Sequence, residues 1–290
     1  PFCDLVRRMS DGRLDIECFP GGAIVSNFDI AQSVAQETLD MANTCPIYHT
    51  GVVPIAALEY GFPGQYKNLA DQQILIEHGL LDILRDAYSE KGIYLLNVGS
   101  DAGLALFTSK PFKDLDDLKG LKIRAGGGFG KMLLKAGAPV TMVPGGEIYT
   151  AMSTGVLDGV CYGGASTAAS IGILEVSKYL VHPDLYGGHL STDIIINPAK
   201  WNALPDDLKA ILEAASWTFF HACGNRSYYE DATVVREFTE QGGSLVSLPE
   251  EDLEKIAAYS RECMDDLAAE NPQYCGPAVE LIKKYIEHMG

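Results

Sequence analysis

A helical pattern of unusual length occupies residues 205–241 and constrains the fold more than any other feature of the chain. Its apolar residues recur at the spacing of an α-helix: Leu208, Ile211, Leu212, Ala215, Phe219, Ala222, Tyr229 and Phe238. Pro205 suits the first turn of such a helix, and Gly242 with Gly243 supplies the stop. At about 1.5 Å per residue, an unbroken helix would be roughly 55 Å long, which exceeds the width of one small domain. The pattern therefore predicts a helix that crosses two lobes, with a bend near Gly224 as an open alternative.

Stretches with strand and helix character alternate along the rest of the chain, which is typical of an α/β architecture with mostly parallel sheets. The predicted strands are residues 13–19, 39–45, 93–98, 103–109, 121–125, 139–143, 159–162 and 188–197. Apolar residues at helical spacing predict a helix over residues 69–89. Two strand-bearing halves bridged by a long helix predict a clamp with a cleft.

The charge of the chain restricts its partners. The net charge is −17, from 39 acidic and 22 basic residues. A surface this negative repels phosphate backbones and anionic lipid headgroups, so we expect no nucleic acid partner. No apolar run is long enough to span a bilayer, so we expect no direct membrane insertion. An anionic ligand would need a local, well-placed cation, because the overall charge repels it.

The seven cysteines form no Cys-x-x-Cys or Cys-x-x-His pair. This spacing argues against a zinc site and against a thioredoxin-type redox centre. We expect the thiols to act as small buried apolar groups, and we expect no metal ion and no cofactor. If the protein is exported, Cys263 and Cys275 are the first pair to test for a disulfide.

Signatures of catalysis and of nucleotide binding are incomplete. The chain has no Gly-x-Ser-x-Gly motif and no two histidines at i, i+4 spacing. In the glycine run 126–130, Lys131 stands where Gly-x-Gly-x-x-Gly needs glycine, and Met132 stands where a P-loop needs serine or threonine. The run is better read as a flexible turn that lets a small ligand approach closely. An enzyme on a two-lobed fold stays an alternative.

Several separate motifs occur in a fixed order. Residues 110–124 read KPFKDLDDLKGLKIR, and residues 135–159 read KAGAPVTMVPGGEIYTAMSTGVLDG. Residues 202–214 read NALPDDLKAILEA, and residues 10–22 read SDGRLDIECFPGG. Together they resemble the periplasmic solute-binding proteins of tripartite ATP-independent periplasmic (TRAP) transporters. The resemblance covers nearly the whole chain.

This resemblance implies an α/β, two-lobed periplasmic-binding-protein-like fold with mixed sheets and a long helix that spans both lobes. Residues 1–98 would form the first lobe and residues 99–195 mostly the second, after a hinge strand. Residues 196–290 would supply the long helix and C-terminal helices that pack back on both lobes. The family begins with a strand before its first helix, so we expect residues to precede Pro1, with a signal peptide in the precursor.

The resemblance also implies a function. The chain would be a periplasmic, monomeric protein that captures a small organic acid between its lobes and delivers it to the TRAP membrane permease. It would catalyse no reaction. A sensory ligand-binding module that docks on a membrane receptor is an alternative that the sequence leaves open.

By resemblance Arg124 is the residue that binds the carboxylate of the ligand. Its guanidinium offers paired donors that match the two oxygens of a carboxylate, so one contact fixes both charge and orientation. Arg124 also ends a predicted strand, and ligands of open α/β sheets bind beyond the carboxyl ends of strands.

Aromatic residues are the other candidates for the binding site. Tyr162 follows the strand after the Leu-Asp-Gly motif, and the remaining candidates are Tyr48, His49, Phe129 and Tyr186. In keto-acid-binding relatives a Glu-Trp pair stands where this chain has Cys161 and Tyr162, and the glutamate helps a cation to bridge ligand and protein. A thiol is a poor ligand for a hard cation. We therefore expect a monocarboxylate with an apolar or aromatic tail, bound without a metal ion.

Overall fold

Two separate β-sheets divide the molecule into two lobes. The computed structural model describes residues 1–183 and 189–289, so the candidate residue Tyr186 lies outside the described residues. The strands are β1 (Met41–Thr44), β2 (Tyr94–Ala102), β3 (Leu106–Thr108), β4 (Ile123–Arg124), β5 (Val140–Thr141), β6 (Gly159–Cys161), β7 (Tyr179–Val181), β8 (His189–Ile196) and β9 (Ser244–Val246). The α-helices are α1 (Phe2–Met9), α2 (Ile30–Ala35), α3 (Ala56–Tyr60), α4 (Leu69–Leu75), α5 (Leu81–Ser89), α6 (Leu115–Leu118), α7 (Gly127–Lys135), α8 (Ile148–Ser153), α9 (Ala165–Ser170), α10 (Ile173–Val176), α11 (Pro198–Ala203), α12 (Asp206–Glu240), α13 (Glu250–Glu270) and α14 (Cys275–Met289). Short 3₁₀ turns lie at Asn27–Asp29, Pro46–Tyr48 and Gly145–Glu147.

The two sheets differ in strand direction. The first lobe is built on the order β1-β8-β2, and β8 runs antiparallel to both of its neighbours. The second lobe is built on the order β5-β4-β6-β3-β7-β9. There β4 is parallel to β5 and β6, β3 is antiparallel to β6 and β7, and β9 is parallel to β7. The mixed sheets are confirmed, but the expectation of mostly parallel strands is wrong for the first lobe.

Each sheet has an apolar core on both of its faces, because alternate strand residues point to opposite sides. In β8, Ile195 packs against the helices α4, α5 and α14, whereas Ile194 and Ile196 join a cluster with α1 and α12. In β3, Leu106 belongs to the cluster with α6 and α7, and Phe107 belongs to the one with α8 and α9. The strands are therefore buried on both sides, which explains their apolar sequences.

The long helix is present and spans both lobes, as predicted. Helix α12 runs for 35 residues from Asp206 to Glu240 without a break. Leu212 and Ala215 near its start pack in the first lobe, and Phe238 near its end packs in the second. Asp231 accepts hydrogen bonds from the backbone N–H groups of Ala165 and Ser166 (3.0 and 2.7 Å), which satisfies the N-terminus of α9.

The C-terminal helices continue this bridging. In α13, Ile256 packs in the core of the second lobe, and Met264 packs in that of the first. Because β8 pairs with β1 and β2, the first lobe also takes a strand from residues 189–196. The division of the chain at residues 98 and 195 stays a prediction.

Two predicted elements differ in the structure. Residues 13–19 alternate polar and apolar residues but form no strand, since Leu14 and Ile16 only cover the cluster around α1 and no strand pairs with them. The helix expected over residues 69–89 is interrupted at His78 and Gly79. Gly79 has φ 119°, in the left-handed region that favours glycine.

The cysteines are all free thiols. Cys263 and Cys275, the pair expected to be tested for a disulfide, are buried in the core of the first lobe and are not bonded. Cys3 and Cys18 lie close to each other, with only 2.8 Å between their Sγ atoms. Among the described residues, no helix combines the length and the apolar character that crossing a bilayer requires.

Candidate functional site

The guanidinium of Arg124 is buried at the ends of three parallel strands. Arg124 ends β4 and is 2% exposed. Its Nη1 donates to the carbonyl oxygen of Cys161 at the end of β6 (2.6 Å), and its Nε donates to that of Val143 just beyond β5 (3.3 Å). The backbone of the neighbouring strands thus fixes the orientation of the side chain.

Arg124 has no ionic partner in the described part of the chain, residues 1–183 and 189–289, where no carboxylate lies within ion-pair distance of it. A guanidinium has five N–H donors, and Nη2 contacts the hydroxyl oxygen of Tyr48 at 3.4 Å. The described contacts therefore leave donors for another acceptor. A buried cation without a counter-ion is unfavourable, so the arrangement is suited to an anion.

Two tyrosines flank this guanidinium from different directions. The centre of the guanidinium lies 5.2 Å from the ring centroid of Tyr162, a cation–π distance. Tyr48 belongs to the 3₁₀ turn that follows β1 in the first lobe, so its contact with Arg124 joins the lobes. Burial raises the pKa of Tyr48 above its usual value of 10.0, although the charge of Arg124 acts against this. The Tyr48 hydroxyl is therefore neutral at pH 7 and can donate to a ligand.

The glycine run after Arg124 is a close contact between the lobes. A Cβ at Gly126 would lie 2.6 Å from Cδ1 of Ile47, and one at Gly127 would lie 2.8 Å from Cδ1 of Tyr60. A Cβ at Gly128 would lie 2.6 Å from the ring of Phe62. The space beside these glycines is therefore filled by side chains of the first lobe. The sequence had predicted that a small ligand would approach the glycine run there.

A cavity of about 500 Å³ lies directly beside this contact. It is lined by Thr50 and Gly51 from the segment after Tyr48, and by Ala125 and Gly126 from the segment after Arg124. Arg124, Tyr48 and Tyr162 do not line it, so the cavity adjoins the guanidinium through neighbouring residues of the same segments but does not contain it.

Comparison with known proteins identifies the fold and the family. The model of the family "Bacterial extracellular solute-binding protein, family 7" matches residues 1–271. The chain belongs to this family.

Relatives of this family 7 protein are similar over most of their length. A monocarboxylate 2-oxoacid-binding periplasmic protein of Nostoc sp. is 24% identical over 89% of this chain and 68% of its own. A TRAP solute-binding protein of Bordetella bronchiseptica, with copurified calcium and picolinate in one active site, superposes with a TM-score of 0.91 at 23% identity, covering 99% of this chain and 86% of that one. A TRAP solute-binding protein of Rhodoferax ferrireducens with bound malonate superposes with a TM-score of 0.89 at 25% identity. The match covers 99% of this chain and 90% of that one. The predicted TRAP resemblance and two-lobed fold are confirmed.

The structure brings together three of the six predicted site residues of this family 7 protein: Arg124, Tyr48 and Tyr162. His49 does not join them. Its side chain is 1% exposed, and its Nε2 lies 2.8 Å from both Asp193 Oδ2 and the Tyr88 hydroxyl. Phe129 is 1% exposed in the core of the second lobe, where the period of α7 directs it.

The sequence did not predict two residues that lie beside Tyr48 and Tyr162. The ring of Phe28 packs edge-on against that of Tyr48, with 5.2 Å between centroids, and Phe28 is 40% exposed. A Cβ at Gly145 would lie 2.5 Å from the hydroxyl of Tyr162, so glycine is needed there. Gly145 belongs to the Pro-Gly-Gly-Glu motif, and this motif is the sequence feature that could have indicated its role.

Proposed function

We propose that this family 7 protein is the periplasmic receptor of a TRAP transporter, and that it binds a small monocarboxylate on Arg124. The single observation that carries the proposal is the buried guanidinium of Arg124 with no carboxylate in ion-pair distance among the described residues. Neutralising such a charge with a ligand carboxylate removes a large desolvation penalty. Picolinate and malonate in the Bordetella and Rhodoferax proteins are also carboxylates, which supports an acid as ligand.

The walls of the site favour an apolar or aromatic tail. Tyr162 presents its ring to Arg124, and Tyr48 and Phe28 continue the aromatic surface on the first lobe. Rings exclude water and stack on flat or apolar groups more readily than on polyhydroxylated ones. The expected ligand is therefore a monocarboxylate whose remaining part is apolar.

No bridging cation is expected for this ligand. Cys161 stands where keto-acid-binding relatives carry a glutamate, and it is 1% exposed. Its carbonyl oxygen already accepts from Arg124, and burial raises the pKa of its thiol well above the usual range. A neutral buried thiol does not bind sodium or calcium. The ligand carboxylate would therefore meet Arg124 directly.

Capture would proceed by closure of the lobes. Arg124 belongs to the second lobe and Tyr48 to the first, so a ligand held by both favours the arrangement in which the lobes touch. The closed shape would then be recognised by the membrane permease. A monomer suffices for this cycle, because both halves of the site lie on one chain.

We expect aromatic and aliphatic monocarboxylates to raise the melting temperature of the protein in the presence of a chelator. The panel is phenylacetate, benzoate, 4-methyl-2-oxopentanoate, pyruvate, malonate and glucuronate, measured by thermal shift with EDTA and again with calcium or sodium. A ligand at 100 times its Kd should contribute about 2.7 kcal/mol. Calorimetry and mass spectrometry of the recovered ligand then distinguish stoichiometric binding from turnover. Stabilisation by malonate or glucuronate alone, or only with added cation, would contradict the proposal.

A further inference from the structure

A fully buried cluster of ionisable side chains lies in the first lobe, outside the group around Arg124. His49, Glu59, Tyr88 and Asp193 are each 2% exposed or less. The hydroxyl of Tyr88 lies 2.5 Å from Glu59 Oε2 and 3.3 Å from Asp193 Oδ2. The cluster joins four separate segments: the turn after β1, α3, α5 and β8.

The hydrogen bonds of the described residues do not satisfy this cluster. Glu59 Oε1, Asp193 Oδ1 and His49 Nδ1 are buried and have no hydrogen-bond partner among the described residues. No lysine or arginine of the described chain forms an ion pair with Glu59 or Asp193. Two buried carboxylates with no lysine or arginine partner are unfavourable, so the cluster is suited to a further cation.

We propose that His49, Glu59 and Asp193 bind a divalent transition-metal ion of the zinc class. Each residue offers one ligand atom, and these atoms lie within 4.8 Å of one another. Two carboxylates balance the charge of a divalent ion. The imidazole nitrogen favours zinc over magnesium and calcium, which prefer oxygen ligands alone. Tyr88 hydrogen-bonds to the ligand side chains and holds them in place.

This site is independent of the proposed ligand contact at Arg124 but is connected to it through the chain. His49 directly follows Tyr48, whose hydroxyl contacts Arg124. An ion bound to His49 would therefore fix the turn that carries Tyr48. The cysteine-based argument against zinc does not apply here, because the three ligands come from three segments that meet only in the folded chain.

The test is metal content and stability of the full chain, expressed with a tag that contains no histidine. After dialysis against EDTA and then against buffer with zinc chloride, we expect one zinc per chain by plasma mass spectrometry. We also expect a rise in melting temperature of about 5 °C or more at saturating zinc. Glu59→Gln keeps an oxygen and an NH₂ group beside Tyr88 and should lose both effects. The matched control Glu77→Gln changes an exposed glutamate beside the exposed His78, and should retain both.

A second measurement does not depend on variants. X-ray absorption of the zinc-loaded wild-type chain should show only nitrogen and oxygen neighbours, with the scattering of one imidazole. Sulfur in the first coordination shell, zinc retained by Glu59→Gln, or no zinc above the level of a metal-free control protein would each overturn the proposal.

A different observation carries a second proposal. The Sγ atoms of Cys3 and Cys18 are 2.8 Å apart, closer than two unbonded sulfur atoms normally approach. Cys18 is exposed, so an oxidant can reach it. The family is extracellular, and exported proteins meet disulfide-forming oxidants.

We infer that Cys3 and Cys18 form a disulfide in the exported protein. The two thiols lose two protons and two electrons, and an S–S bond forms. The electrons and protons pass to a protein disulfide of a thiol oxidant, which becomes a dithiol. The bond would close a loop with a separation of 15 residues and would fasten α1 to the irregular segment 10–26.

Intact mass spectrometry after periplasmic expression tests this inference. We expect a mass two daltons below that of the fully reduced chain, and peptide mapping should find Cys3 linked to Cys18. Reduction, or the double substitution Cys3→Ser with Cys18→Ser, should lower the melting temperature by about 5 °C. The pair Cys263→Ser and Cys275→Ser should leave the linked peptide intact. Maleimide labelling of both Cys3 and Cys18 in the exported protein would overturn the inference.

Discussion

Arg124→Ala is expected to abolish measurable binding of the monocarboxylate that gives the largest thermal shift in the panel. The change removes the one buried cation at the site and leaves the ligand carboxylate without a charged partner. Removing one partner of a buried, hydrogen-bonded charge pair typically costs about 2–5 kcal/mol, or about 30- to 5,000-fold in affinity. Titration calorimetry measures this loss directly.

Arg124→Lys separates charge from geometry. Lysine keeps the positive charge but cannot make the paired contact of a guanidinium or reach both the Cys161 and Val143 carbonyl oxygens in the same way. We expect at least about tenfold weaker binding. The control is Arg226→Ala, which removes an exposed arginine paired with Glu230 and should leave affinity unchanged. Wild-type affinity in either Arg124 variant would disprove the carboxylate contact.

Gly128→Ala is expected to weaken ligand binding by preventing the lobes from meeting. The added Cβ would lie 2.6 Å from the ring of Phe62, which is fully buried and cannot move aside easily. Overpacking of this kind costs about 1–3 kcal/mol. If the substitution destabilises only the closed arrangement by this amount, the affinity for the ligand falls by about 5- to 150-fold. Small-angle scattering should then show less compaction on adding ligand than in the wild type.

A second glycine in a helix provides the matched control. A Cβ at Gly276 in α14 would meet no atom within 4 Å. Gly276→Ala should therefore leave affinity unchanged and stabilise the fold by up to about 1 kcal/mol. Equal affinities and equal compaction in Gly128→Ala and the wild type would show that this contact does not control closure.

Local pattern predicted some features of this molecule well. Helix α12 was predictable because its period, its first-turn proline and its glycine stop lie within one continuous segment. The motif that ends on Arg124 is also contiguous, and by resemblance it marked this residue for the ligand carboxylate, a role that stays a prediction. Both predictions rest on residues that are adjacent in the sequence, so one sequence is enough to make them.

Features that depend on tertiary contacts were not predictable. Residues 13–19 have the alternation of a strand, but a strand also needs a partner, and none lies beside them in the described chain. Phe129 was expected in the pocket, yet the helical period turns it into the core. The cluster of His49, Glu59 and Asp193 gave one faint signal: Asp193 is a charged residue within the isoleucine-rich strand β8.

Helix α12 also determines when this protein can fold during its synthesis. The cores of both lobes contain residues of this one helix, from Leu212 in the first to Phe238 in the second. The first lobe further needs Met264 from α13 and Ile282 from α14. A growing chain therefore cannot complete either core before α12 has emerged, and neither lobe can complete its core in a fragment that ends before α12. The core of the first lobe must wait further for α13 and α14, so the segments before α12 stay without a complete core while these helices are made.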